Sequence, residues 1–111
     1  MDRYVQYSQD AVILGRIGEA LFPQDTKLAV RLPADLAESA LSAWHREDSH
    51  QTGDETPEQR LTRHRAAYLA LIGLCIENTG RPDAGEVICE LDAWYIGSAL
   101  ETAGDQGLLS R

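Results

Sequence analysis

Positive charge is scarce in this sequence. Lys and Arg number 10 against 18 Asp and Glu, which leaves a formal charge of −8 and a pI near 4.7. A field of that sign opposes phosphate backbones and anionic membranes, keeps a protein soluble and favours basic partners. Nucleic acid is therefore not the expected partner. Cysteine is nearly absent: Cys75 and Cys89 stand alone, each among apolar neighbours. Both read as small buried hydrophobes of a reducing compartment, with no disulfide demanded. Long apolar runs are missing too. The longest lies around Ala66 to Ile76, far short of the ~20 residues of a membrane span. The opening MDRYVQYSQD is polar and acidic where a secretory leader needs basic residues. The expected setting is the cytoplasm, without membrane contact.

The signatures of chemistry are equally thin. There is no G-x-S-x-G elbow. No glycine-rich phosphate loop is present either, because Gly15 and Gly18 sit inside a helical pattern and precede no Lys-Ser or Lys-Thr. The acidic stretch Asp48 to Thr56 lacks the alternating oxygen ligands of a calcium loop. Cys75, apolar and mid-helix, is in the wrong setting for a thiolate nucleophile. No catalysis and no cofactor are expected. His45, Asp48 and His50 cluster near the end of a helix and form the weak metal candidate, at a spacing that matches no recognised zinc pattern.

What is there reads as one small domain spanning residues 1–111. Its 43% hydrophobic content suits a globular chain with a thin core. The organising stretch is PEQRLTRHRAAYLALIGLCIEN, Pro57 to Asn78. Thr56 precedes it as a cap, Pro57 fits the first helical position and Gly80 follows as a stop. Before it, Met1 to Gln6 reads as a loose end. A first helix over about Ser8 to Phe22 carries Val12, Ile13, Ile17 and Leu21 as its stripe. Lys27 to Leu32 alternates as a strand. Asp35, with Glu38 three residues later, offers a capping box for a second helix over Leu36 to Glu47. The polar stretch from Asp48 to Thr56 reads as a loop.

The segment after Arg81-Pro82-Asp83, read as a turn, has two readings. One is a strand over Val87 to Leu91 followed by a helix capped by Asp92, running to about Ala103 with Gly104 closing it. The other is a single helix. Under the first, Val87, Cys89 and Leu91 face the core and Ile88 the other side. AVRLPADLAESALSAW then resembles VICELDAWYIGSALETA in organisation, a weak internal repeat of strand, acidic cap and helix. The expected fold is α+β: a long central helix packed with shorter ones and a two-stranded antiparallel ribbon. An all-α bundle is the alternative.

Function is expected to lie in contact rather than reaction. A non-catalytic protein-interaction or regulatory module fits best, acting through an acidic surface with aromatic anchors and homodimeric, with a further protein partner in view. Tyr4, Tyr7, Trp44, Trp94, Tyr95, Leu108 and Leu109 are the interface candidates, both tryptophans being expected to close over the core. Arg60, Arg63, His64 and Arg65 gather the positive charge between acidic stretches and are candidates for an anion or acidic partner. The alternatives are a helical DNA-associated factor resting on those arginines, and a small ligand- or metal-binding protein with a pocket ringed by His45, Arg63 and His64.

Overall fold

The longest helix begins on a reciprocal cap. The Gln59 amide donates to Thr56 Oγ1 at 3.1 Å while the Thr56 amide donates to Gln59 Oε1 at 3.0 Å, and Pro57 occupies the first turn. The computed structural model describes residues 3–46 and 53–109. In chain order they form α1 (Arg3–Leu21), β1 (Val30–Pro33), α2 (Ala34–His45), α3 (Pro57–Thr79), β2 (Arg81–Asp83), β3 (Glu86–Cys89) and α4 (Ala93–Asp105). The fold is α+β, dominated by helices, with a three-stranded antiparallel sheet in the order β1-β3-β2.

Several expectations need correction. The sheet has a third strand, because Arg81-Pro82-Asp83 is not a turn but pairs with Ile88, Val87 and Glu86. The turn follows it at Ala84-Gly85, where φ is positive at both residues (52° and 81°), as a two-residue type I′ hairpin requires. β1 is shorter than its alternation suggested, and Leu28, 80% exposed, lies in the turn before it. Asp35 does not cap α2. The chain runs directly from strand into helix through Pro33, and Asp35 lies inside the first turn, where its charge suits the helix dipole. That helix ends at His45, and the loop residues 48–52 fall outside the described part.

The chain start is helical from Arg3 onward rather than loose, since the Tyr4 and Tyr7 rings meet edge-on at 5.5 Å and the Tyr4 hydroxyl donates to Glu55. The single-helix reading of residues 83–103 fails: β3 ends at Cys89, and Asp92 caps a separate α4 by accepting from the Trp94 amide at 2.9 Å. Gly104 lies within that helix. Closure comes at Gly107, with Gly107 N to Gly104 O at 3.1 Å and Leu108 N to Ala103 O at 2.9 Å, the bond pair of a Schellman ending.

One contiguous core joins all four helices to β1 and β3, and its positions recur. Ala11, Leu14, Ile17, Gly18 and Leu21 of α1 match Ala66, Leu69, Ile72, Gly73 and Ile76 of α3 at the same spacing, and all are buried. Val30, Leu32, Ala37, Ala40 and Ala43 likewise match Cys89, Leu91, Ile96, Ala99 and Thr102, of which only Leu91 is less than fully buried. The repeat glimpsed in the strand–helix segments thus extends over the whole helix–strand–helix half. The second half has a connection four residues longer (Leu21 to Val30 against Ile76 to Cys89), and β2 occupies it.

Packing obeys the same correspondence. The helix α1 lies on α4 as α3 lies on α2, α1 meets α3, and β1 pairs with β3 so that Val30 faces Cys89, its own counterpart. The two halves are therefore related by an approximate twofold axis through that pair. At each helix crossing the repeat places glycine against a backbone carbonyl. A Cβ on Gly18 would lie 2.0 Å from Ala99 O, and one on Gly73 2.1 Å from Ala40 O. No side chain fits there, so both crossings depend on glycine.

The outer strands are closed to further pairing. Each carries a proline, Pro33 in β1 and Pro82 in β2. The Gln24 side chain also occupies the free edge of β1, its Oε1 accepting from Arg31 N at 2.8 Å and its Nε2 donating to Arg31 O at 2.7 Å. On the solvent face Arg31 bridges Asp83 (2.8 Å) and Glu86 (3.3 Å).

Candidate functional site

The most distinctive surface lies between α3 and α4. From α3 it takes Leu61, His64, Arg65, Tyr68 and Leu71, and from α4 it takes Trp94, Gly97, Ser98 and Glu101; both sets recur at three- and four-residue steps, one helix face each. The two helices diverge here and leave a cleft of about 500 Å³. A second concavity of about 390 Å³ adjoins it, sharing His64, Tyr68 and Trp94 and adding Ala67, Leu71, Asp92 and Tyr95. Trp94 thus stands between two hollows with 78% of its surface exposed, and Leu61 nearby is 46% exposed. The Asp92 cap fixes the backbone that presents Trp94. Below it Tyr95 packs edge-on against Tyr68 at 5.9 Å. Arg65 is tied to Asp105 by an ion pair, while Arg60 and His64 are exposed.

The internal repeat supplies a comparison. The counterparts of Leu61, Leu71 and Trp94 in the other half are Gln6, Arg16 and Asp35, all polar. Tyr68, Tyr95 and Ala67 have apolar counterparts, Ile13, Leu36 and the exposed Val12. The same backbone arrangement therefore tolerates polar residues at the positions of Leu61, Leu71 and Trp94, and folding alone does not account for apolar ones there.

The other candidates lie elsewhere. Trp94 was expected to close over the core and instead projects into solvent. Trp44, 36% exposed, donates through Nε1 to Glu77 at 3.2 Å, and His45 pairs with the same carboxylate. The His45 hydrogen bond, aided by that of Trp44, holds the Glu77 carboxyl below its ordinary range. Tyr7 is buried, with 3% exposure, and is no surface anchor. Its hydroxyl has no hydrogen-bond partner and borders a small cavity of about 110 Å³, also lined by Asp10, Arg46 and Arg63. Around that cavity Asp10 is clasped by Arg46 at 2.9 and 3.0 Å, and Glu55 by Arg63 at 2.8 and 3.0 Å.

Tyr4 is half-buried beside this cluster, and Leu108 and Leu109 are half-buried at the end of α4. His45, Arg63 and His64 do not ring one pocket; each borders a different hollow. Asp48 and His50 fall outside the described residues, and among the described residues no three His, Cys, Asp or Glu side chains gather as metal ligands. Cys75 and Cys89 are both free, and burial pushes the Cys89 thiol up to about 11.

Leu61, Tyr68 and Leu71 are not among the interface candidates that the sequence offers. The signal lies in their three- and four-residue spacing beside His64 and Arg65, but the apolar run from Ala66 to Ile76 hides which stripe of the helix is left open. No family model, curated protein or solved structure matches the chain. Among the described residues no helix is long and apolar enough to cross a membrane.

Proposed function

We propose that this chain is a non-catalytic protein-interaction module, regulatory in its action, that docks a partner protein on the α3–α4 face. The observation that carries the reading is Trp94, 78% exposed between two hollows, at a position whose counterpart in the other half is Asp35. Tryptophan and tyrosine beside a preformed cleft are the residue types that dominate binding energy at protein interfaces. An aromatic ring left in water forgoes about 1.5–3 kcal/mol that burial would return. A cytoplasmic setting accords with the two unpaired thiols.

The DNA-associated reading is weaker. Of its three arginines, Arg63 is held by Glu55 and Arg65 by Asp105, which leaves Arg60 to meet phosphate. The metal reading loses His45 to Glu77.

The test is a photoreactive phenylalanine analogue at position 94, expressed in cells of the source organism, with the same analogue at position 35 as the comparison. Irradiation is expected to give discrete protein adducts at 94 and none at 35. Equal labelling at both positions, or none at 94, refutes the docking face.

A further inference from the structure

We infer that the occupant of the α3–α4 face is a second copy of this chain, related to the first by a twofold axis. The inference rests on the docking reading above and names its partner. A twofold contact sets one patch against itself, so a patch with a projection needs a matching recess, and a charged patch needs both signs. This face meets both conditions. Trp94 projects beside the cleft of about 500 Å³ that could receive its counterpart from the other copy. Arg60 and His64 lie along the α3 rim, while Asp92 and Glu101 lie along the α4 rim, all four exposed. An axis lying in the plane of the face, midway between the two helices and along them, lays α3 of each copy over α4 of the other. Each basic rim then meets an acidic one.

The rest of the surface argues for this face by exclusion. A net charge of −8 makes two copies repel over most orientations, and contact is least opposed where the charges separate into complementary rims. Strand-to-strand pairing across a dimer is closed off by Pro33, Pro82 and the Gln24 side chain. A stable contact needs about 800 Å² from each partner, roughly an eighth of the 6793 Å² surface of the chain.

Sedimentation equilibrium across a dilution series tests the inference on the full chain. The wild type is expected to dimerise and to dissociate on dilution. Trp94→Ala should weaken the dimer at least tenfold with an unchanged far-ultraviolet spectrum, whereas Asp35→Ala should leave it as it was. Charge reversal gives the sharper arm. The double variant Arg60→Glu, His64→Glu and the single variant Glu101→Arg should each be monomeric alone. Mixed one to one, they should form a heterodimer, because the carboxylates introduced at 60 and 64 then face the guanidinium introduced at 101, while the second rim pair is that of the wild type.

A dimer indifferent to Trp94→Ala and to both reversals would place the contact elsewhere and overturn the inference. A wild type that stays monomeric at every concentration also overturns it. In that second case, adducts of position 94 with a different protein leave the docking face standing with another occupant, and their absence removes the face as well.

Discussion

Gly18 and Gly73 show how much a single missing methyl can decide. Each lies where a Cβ would come within 2.0–2.1 Å of a carbonyl oxygen on the facing helix, so alanine at either position forces two backbones apart. Alanine favours a helix by up to ~1 kcal/mol over glycine, yet a backbone displacement in a packed core costs more. Gly18→Ala and Gly73→Ala are expected to lose about 2–3 kcal/mol net, and by similar amounts, since the two sites are counterparts. Gly104→Ala meets nothing within 4 Å and should gain about 0.4–1 kcal/mol. Urea unfolding midpoints of the three variants would check both signs.

A second prediction concerns Glu77, which accepts from His45 and from Trp44. These bonds favour its ionised form and lower its folded pKa. The sign follows from linkage: the stabilisation is present above the unfolded value and is lost as pH falls through the depressed folded one. His45→Ala should return the Glu77 titration, followed by the carboxyl carbon shift in NMR, most of the way to the ordinary value. A residual depression from Trp44 should persist.

Among the elements, the sheet edge makes the most direct prediction. Gln24 bonds both backbone groups of Arg31 that point away from β3, doing for β1 what a neighbouring strand would do. Gln24→Ala should cost about 0.5–1.5 kcal/mol, because water replaces the lost partner on an exposed edge. Amide hydrogen exchange at Arg31 should rise well above that of its neighbours, and unchanged protection there would contradict this account of the edge.

The elements also show which parts of the fold were legible in the chain. The helix α3 was readable nearly to the residue, because Thr56, Pro57 and Gln59 act through local chemistry that needs no tertiary partner. The strand β2 was hidden, because Arg81-Pro82-Asp83 has the composition of a turn and becomes a strand only when β3 lies beside it. The start of α1 was hidden for a related reason. Tyr4 looks like part of a polar end until Glu55, 51 residues away, accepts from its hydroxyl. Leu28 failed in the opposite direction: perfect alternation in sequence, but a turn in space. At the candidate site Trp94 was visible as a large aromatic, while its outward aim was not. That aim depends on Asp92 capping a helix whose existence was itself one of two readings.

At the scale of the whole molecule, the halves do not stand side by side; each lays its first helix on the other's last. Neither can bury its apolar stripe alone, so the chain should unfold as one cooperative unit. Cut between positions 50 and 51, the two fragments are expected to lack fixed tertiary structure separately. Mixed, they should recover the near-ultraviolet spectrum of the intact chain in a one-to-one complex. A fragment that folds on its own as a monomer would refute this picture.

The pseudo-twofold has one more consequence. Two identical chains wound about such an axis would have to display every feature twice, so a sticky face on one side would bring an equal one on the other and invite open-ended stacking. Joining the halves by a covalent link removes that constraint. Asp35 can stay charged while Trp94 turns apolar, and growth can stop after a single contact.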